Sequence, residues 1–176
     1  MAGVGDVKHY AGGGEFAAVS STVTTLPVGF RLGDILYESG IRYKLLFNAG
    51  GASITAGCFV TPAGSSGPYS MTVTMATATN AHIGAAVCYN ATAATATYFW
   101  GATHGYLTAG MFGGNISCAT GNKIMLDTDG AVTPYPILPG SISTAFQGNF
   151  AVGVALTSIT TGVRTGTVLL SLPSSL

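Results

Sequence analysis

The chain has 176 residues, of which 7% are charged and 48% hydrophobic, and its six Lys and Arg balance its six Asp and Glu. That length holds one sizeable core, or two small β-modules sharing one, but not two independent domains. The cations Lys8, Arg31, Arg42, Lys44, Lys123 and Arg164 are too few and too scattered to form the clustered track that DNA or RNA binding needs, and no apolar run reaches the roughly 18 to 20 residues of a membrane-spanning helix.

In chain order, residues 1–30 are glycine-rich and irregular and read as an extended N-terminal arm ahead of a single β-domain over 31–176. The opening MAGVGDVKHYAGGGEF lacks a basic segment followed by a long apolar one, so folding in a cytoplasm, without export, is the expectation. Beyond the arm, glycines punctuate short runs rich in Val, Ile, Thr, Tyr and Phe, the pattern of strands and turns. Strands are predicted over Asp34 to Glu38, Arg42 to Asn48, Ser53 to Val60, Ser70 to Ala76, His82 to Tyr89, Thr95 to Gly101, Lys123 to Asp127, Phe150 to Thr157 and Thr165 to Leu172. No window has the period of a long amphipathic helix. The predicted fold is all-β: a compact barrel or sandwich of short antiparallel strands.

The turns follow from residue chemistry. Ser39-Gly40 and Asp129-Gly130 supply backbones that tolerate positive φ between apolar runs, so each predicts a hairpin, the second spanning Lys123 to Tyr135. Thr61 to Ser70 carries two prolines and two glycines and reads as a projecting loop. Pro134, Pro136 and Pro139 confine Val132 to Gly140 to a sheet edge or a loop, because proline donates no ladder hydrogen bond. Both segments are candidates for exposed, partner-facing surface. A faint internal duplication is also visible. Gly33 to Gly40 (GDILYESG) resembles Gly121 to Gly130 (GNKIMLDTDG), and His82 to Val87 (HIGAAV) resembles Phe150 to Leu156 (FAVGVAL), with Gly84 and Gly153 placed for close backbone approach or a bulge.

Residues that carry chemistry are sparse. The acids sit mostly beside Gly or Ser, where turn roles account for them, and Asp127-Thr-Asp129-Gly130 lacks the later acidic ligand of a calcium loop. His9, His82 and His104 have no partners at metal-ligand spacing. Cys58, Cys88 and Cys118 form no CxxC pair and read as buried thiols. Neither a GxSxG elbow nor a phosphate loop is present. The Asn90-Ala-Thr92 and Asn115-Ile-Ser117 glycosylation patterns are expected to be silent in a chain that is not exported. No catalytic, metal or cofactor site is predicted. Among Tyr98, Phe99, Trp100 and Tyr106 two readings stay open: core packing, and a subunit interface anchored by Trp100, with carbohydrate binding as a third.

Three segments, Gly33 to Glu38, His82 to Val87 and Leu107 to Leu172, carry a family resemblance. The last contains LTAGMFGGNIS, GNKIMLDTDGAVTP and FAVGVALTSITTGVRTGTVLLSL in that order, and with them the chain resembles the small phage head-decoration (capsid cement) proteins. In those, a turn-rich segment ending in a G-N/D-x-hydrophobic strand precedes a VGVA strand and a closing TVLLSL-type strand. About half the chain is covered. The uncharged middle, Gly50 to Thr120, departs from the simplest family pattern and implies an extra module or another structural role.

The resemblance implies a structural virion protein without enzymatic activity. It would sit on the outside of an icosahedral capsid, commonly as a homotrimer, bridge major capsid protein subunits and so stabilise the shell. The matching arm is Met1 to Phe16, with Val4, Val7, Tyr10 and Phe16 as apolar contacts to the capsid. Low charge agrees with this expectation independently. Residues 45–122 contain no Asp, Glu, Lys or Arg, so neighbouring subunits are expected to cover part of the surface. The rival readings are a receptor- or glycan-binding head-fibre or tail module using Trp100 and nearby tyrosines, and a main capsid or tube subunit.

Overall fold

The structure is a computed structural model that describes residues 22–63, 70–75, 86–88, 92–111, 117–126, 132–134, 151–160 and 165–171. Within them the chain forms ten strands and no helix, as the all-β reading expects: β1 (Ile35–Glu38), β2 (Ile41–Asn48), β3 (Phe59–Pro62), β4 (Thr72–Met75), β5 (Ala86–Cys88), β6 (Tyr98–Met111), β7 (Lys123–Leu126), β8 (Val132–Pro134), β9 (Ala151–Ala155) and β10 (Thr165–Ser171).

The strands join in one curled sheet, in the order β1-β2-β4-β3-β5-β6-β10-β9-β7-β8, and β2 also pairs with β6. That extra pairing closes β2, β4, β3, β5 and β6 into a five-stranded ring, the barrel alternative of the sequence reading. β10, β9, β7 and β8 extend from β6. All pairings are antiparallel except β2 with β4, where Phe47 and Asn48 run parallel to Thr72 and Val73. The expectation of purely antiparallel strands is corrected there, because the connection between β2 and β4 carries β3 and is long enough for a crossover.

Local chemistry explains the hairpins. Ser39 (φ 51°) and Gly40 (φ 78°) form a two-residue loop with both residues left-handed, which matches the twist of the flanking strands and fixes the register Glu38↔Ile41 and Leu36↔Tyr43. β7 and β8 pair antiparallel, Ile124 opposite Pro134, as predicted for the second hairpin; the Asp129-Gly130 turn lies outside the described residues. β8 ends the sheet order, and Pro134 sits at that edge.

Another turn recurs through the chain. In Arg31–Asp34, Thr55–Cys58 and Ala119–Asn122 the third residue is a glycine with φ of 90°, 83° and 89°, and the fourth N–H donates to the first carbonyl. This is the type II geometry, in which the third position needs positive φ. Each turn launches a strand. Gly33 N–H donates to Leu45 O and Leu45 N–H to Asp34 O; Gly121 and Asn122 bond Ala155 in the same way. The GDILYESG and GNKIMLDTDG segments therefore occupy equivalent places. On the other edge of each central strand, Leu45 faces Trp100 and Ala155 faces Val168. The repeated unit is β1-β2-β6 against β7-β9-β10. The strand equivalent to β9 is thus β2, which corrects the sequence pairing of HIGAAV with FAVGVAL. Apolar composition with a mid-strand glycine made β5 look like β9, but hydrogen-bond register makes β2 the counterpart. Gly84 lies outside the described residues. β3, β4 and β5, from the uncharged middle, are inserted between β2 and β6 and complete the ring.

A single core takes side chains from both halves, among them Tyr43, Leu45, Phe59 and Phe99 from the ring, Leu107 from the later part of β6, and Ile124, Ala155 and Val168 from the extension. β10 shows the alternation of a half-buried strand, with Val168 and Leu170 inward and Leu169 and Ser171 outward. β2 is buried along nearly its whole length. Three predicted boundaries move. Gly57 breaks Ser53 to Val60 into an isolated bridge, Ile54 with Ala93, and β3. Thr61 and Pro62, expected in a projecting loop, belong to β3 and are buried, while 64–69 lie outside the described residues. The strand expected to stop at Gly101 continues to Met111. It bends at a register shift beside Thr103 and at Gly105, whose φ of +112° and close approach to the Gly40 carbonyl leave no room for a side chain.

Candidate interaction surface

Of the sequence candidates for partner contact, Val4, Val7, Tyr10 and Phe16 lie outside the described residues. Residues 22–30, the end of the expected arm, are docked on the body. Val23 and Tyr98 exchange backbone hydrogen bonds of 3.1 and 2.8 Å, and Phe30 is buried against Trp100 with ring centroids 6.2 Å apart, edge to face. Trp100 itself is 3% exposed. Of the readings left open for it, core packing describes its place in this chain, and its ring is not presented to a partner. Among the described residues, the exposed rings are Tyr37 (58%) and Tyr106 (53%).

Those two tyrosines share one face of the sheet, which can be read from register. One rung runs Tyr37↔Arg42↔His104↔Ser171 across β1, β2, β6 and β10. The next runs Tyr106↔Leu169↔Val154↔Lys123 across β6, β10, β9 and β7. Directly paired residues point the same way, so the face presents two tyrosines and Leu169 together with Arg42, His104 and Lys123. Tyr37, Tyr106, Leu169, Ser171 and Lys123 are exposed, and Arg42, His104 and Val154 half-buried. Lys44, two residues along β2 from Arg42, lies where this face runs into the interior and is 8% exposed.

The electrostatics are one-sided. The Nη1 of Arg42 lies 3.4 Å from His104 Nδ1, and its buried Nε has no hydrogen-bond partner. Burial, and then the Arg42 charge, hold both Lys44 and His104 below their ordinary pKa values. A base whose pKa is lowered on folding binds protons better when unfolded. The stabilising contribution of neutral His104 is therefore full above its ordinary value of 6.5 and is lost as the pH falls below it. The urea midpoint of the wild type is expected to drop between about pH 7.5 and about pH 5.5, and His104→Gln to drop less over that interval. Equal slopes in both proteins would refute this role for His104.

The remaining candidates place as follows. Cys58 and Cys118 are buried thiols, and desolvation pushes both up, against a smaller opposing hydrogen bond from Thr55 at Cys58. Cys58 is the last residue of its type II turn, whereas Cys118 immediately precedes its own. Among the described residues no three His, Cys, Asp or Glu come together as a metal cluster, and no helix is long and apolar enough to cross a membrane. No known protein family, curated protein or solved structure matches the chain.

Of the face residues, Tyr106 was a sequence candidate, as a member of the aromatic cluster around Trp100; the others were not. The signal that could have found them is the period-two alternation of Arg42-Tyr-Lys44-Leu in β2 and Val168-Leu-Leu-Ser171 in β10, which sorts outward from inward positions once strand neighbours are known.

Proposed function

We propose that the protein is a structural virion component that binds the outer surface of an icosahedral phage capsid and stabilises it by bridging major capsid protein subunits. The observation that carries the reading is a β-body whose exposed sheet face sets Tyr37, Tyr106 and Leu169 beside cations, in a chain with too little charge to keep such a face solvated by repulsion. The family resemblance supports the same reading from other residues. Its mechanism is mass action: a ligand that prefers the assembled shell stabilises it, and many copies act together.

Cryo-electron microscopy of the particles that carry the protein tests this. Trimeric density outside a continuous capsid floor is expected, with residues 1–16 along that floor. Density forming the floor itself, or confined to a tail or fibre, would overturn the proposal. The two exposed tyrosines favour one second reading, a receptor- or glycan-binding module, for which Tyr37 and Tyr106 replace Trp100 as the candidate platform.

A further inference from the structure

We propose that Arg42 and Lys44 form a docking position for a carboxylate side chain of the protein partner that covers this face. The inference rests on the decoration reading only in that the face meets another protein.

Arg42 is half-buried, its Nε is shielded from water without an acceptor, and its nearest polar contact is a histidine that Arg42 itself helps to keep neutral. Lys44 is more deeply buried, and burial and then the Arg42 charge both disfavour its protonated form. Among the described residues neither cation has a carboxylate within ion-pair distance. Two like charges placed side by side and partly dehydrated are unfavourable for the isolated chain, and an anion reaching both would relieve the repulsion and satisfy Arg42.

The chemistry of the surroundings selects the source of that anion. Tyr37 and Tyr106 give the face apolar area that a folded partner could bury. The next cation, Lys123, belongs to the neighbouring rung on the far side of β10 and β9, so the charges do not follow the regular path of a phosphate backbone. A second copy presenting the same face would set cation against cation. A protein segment carrying Asp or Glu meets each of these conditions.

The test is nuclear magnetic resonance titration of the isotope-labelled full chain with capped tetraglutamate, with capped tetraglutamine as control and no capsid present. Saturable shifts are expected at the amides of Tyr37, Arg42, Lys44 and His104. They should vanish in about 1 M NaCl, where the Debye length is about 3 Å. The double variant Arg42→Gln, Lys44→Gln should bind about tenfold or more weakly, and Lys123→Gln should bind like wild type.

The absence of shifts, equal shifts with tetraglutamine, or persistence in high salt would overturn the proposal on the wild-type chain alone, whatever the variants do. Shifts that follow chain concentration without peptide would assign the face to a second copy. A stronger response to oligothymidylate would assign it to nucleic acid. Either would also overturn it. Because no particles are used, a negative result leaves the decoration reading to its own microscopy test.

Discussion

Replacing Asn48 by alanine is expected to destabilise the protein by about 3 kcal/mol, which would make it among the most damaging polar substitutions in the described chain. Asn48 is 0% exposed at the end of β2. Its side-chain nitrogen lies 3.1 Å from each of three backbone carbonyls, Ala52, Ala93 and Ala94, and its side-chain oxygen accepts the Gly50 N–H at 2.9 Å. Its backbone is engaged as well, donating to Thr97 O and accepting from Ala96 N–H, each at 2.9 Å. One amide thus ties the end of β2 to the loop before β3 and to the turn that launches β6. Alanine would leave the partly buried Ala52 carbonyl and Gly50 N–H without this partner, each costing about 1–3 kcal/mol with water able to reach some of them, while the Ala93 and Ala94 carbonyls lose one donor but keep Ile54 N–H and the Thr97 hydroxyl.

Aspartate separates hydrogen bonding from volume. It keeps the acceptor for Gly50 but turns a second oxygen toward three carbonyls, so Asn48→Asp should be less stable than Asn48→Ala at neutral pH. It should recover in part as the carboxyl is protonated in acid. Urea unfolding of the three proteins at two pH values measures both effects. If Asn48→Ala unfolds within about 0.5 kcal/mol of wild type, the amide is not the tie described here.

Asn48 also marks the limit of what the sequence makes legible. Its strand was predictable, as were the two hairpins, because Ser39-Gly40 and Asp129-Gly130 act on their own neighbours. The role of its amide depends on Ala93 and Ala94, which reach it only when the ring closes, and nothing local in the sequence indicates that closure. Glycine was ambiguous for the same reason. Read as punctuation, it placed the end of a strand at Gly101, yet β6 continues through Gly101 and Gly105 because a backbone without Cβ can bend there against Gly40. Conversely, Gly57 was read through as part of one strand and is a turn. Pro62 counted as a loop residue, although a proline is tolerated at the end of a short strand such as β3. The surface was legible only as alternation. Arg42 and Tyr106 share a face because β2 and β6 pair, and that pairing, like the parallel run of β2 beside β4, belongs to the tertiary fold.

The second large effect is expected at Gly153. A methyl group built on it would overlap the carbonyl oxygen of Leu169 and crowd the Leu170 backbone, so Gly153→Ala must push β9 and β10 apart. The cost should be about 3 kcal/mol, at the upper end for overpacking, because the obstacle is ladder backbone and not a movable side-chain end. The internal repeat explains why this site is so intolerant. Gly153 lies between Ile124 on β7 and Leu170 on β10, and its counterpart in the first unit is Tyr43, between Leu36 on β1 and Ala102 on β6. In one unit the central strand carries the large side chain and one neighbour is small. In the other the centre is empty and both neighbours are large, with Ile124 and Leu170 in the core. Each unit fills its volume once, by opposite choices, which close packing requires. Gly51→Ala, where an added methyl meets nothing within 4 Å, provides the contrast and should stay within about 0.5 kcal/mol of wild type. Gly153→Ala paired with Leu170→Ala should not recover the loss, because the overlap is with main chain and the second change opens a cavity of its own. Recovery in that double variant would mean that side-chain crowding, and not the approach of two backbones, sets the requirement for glycine.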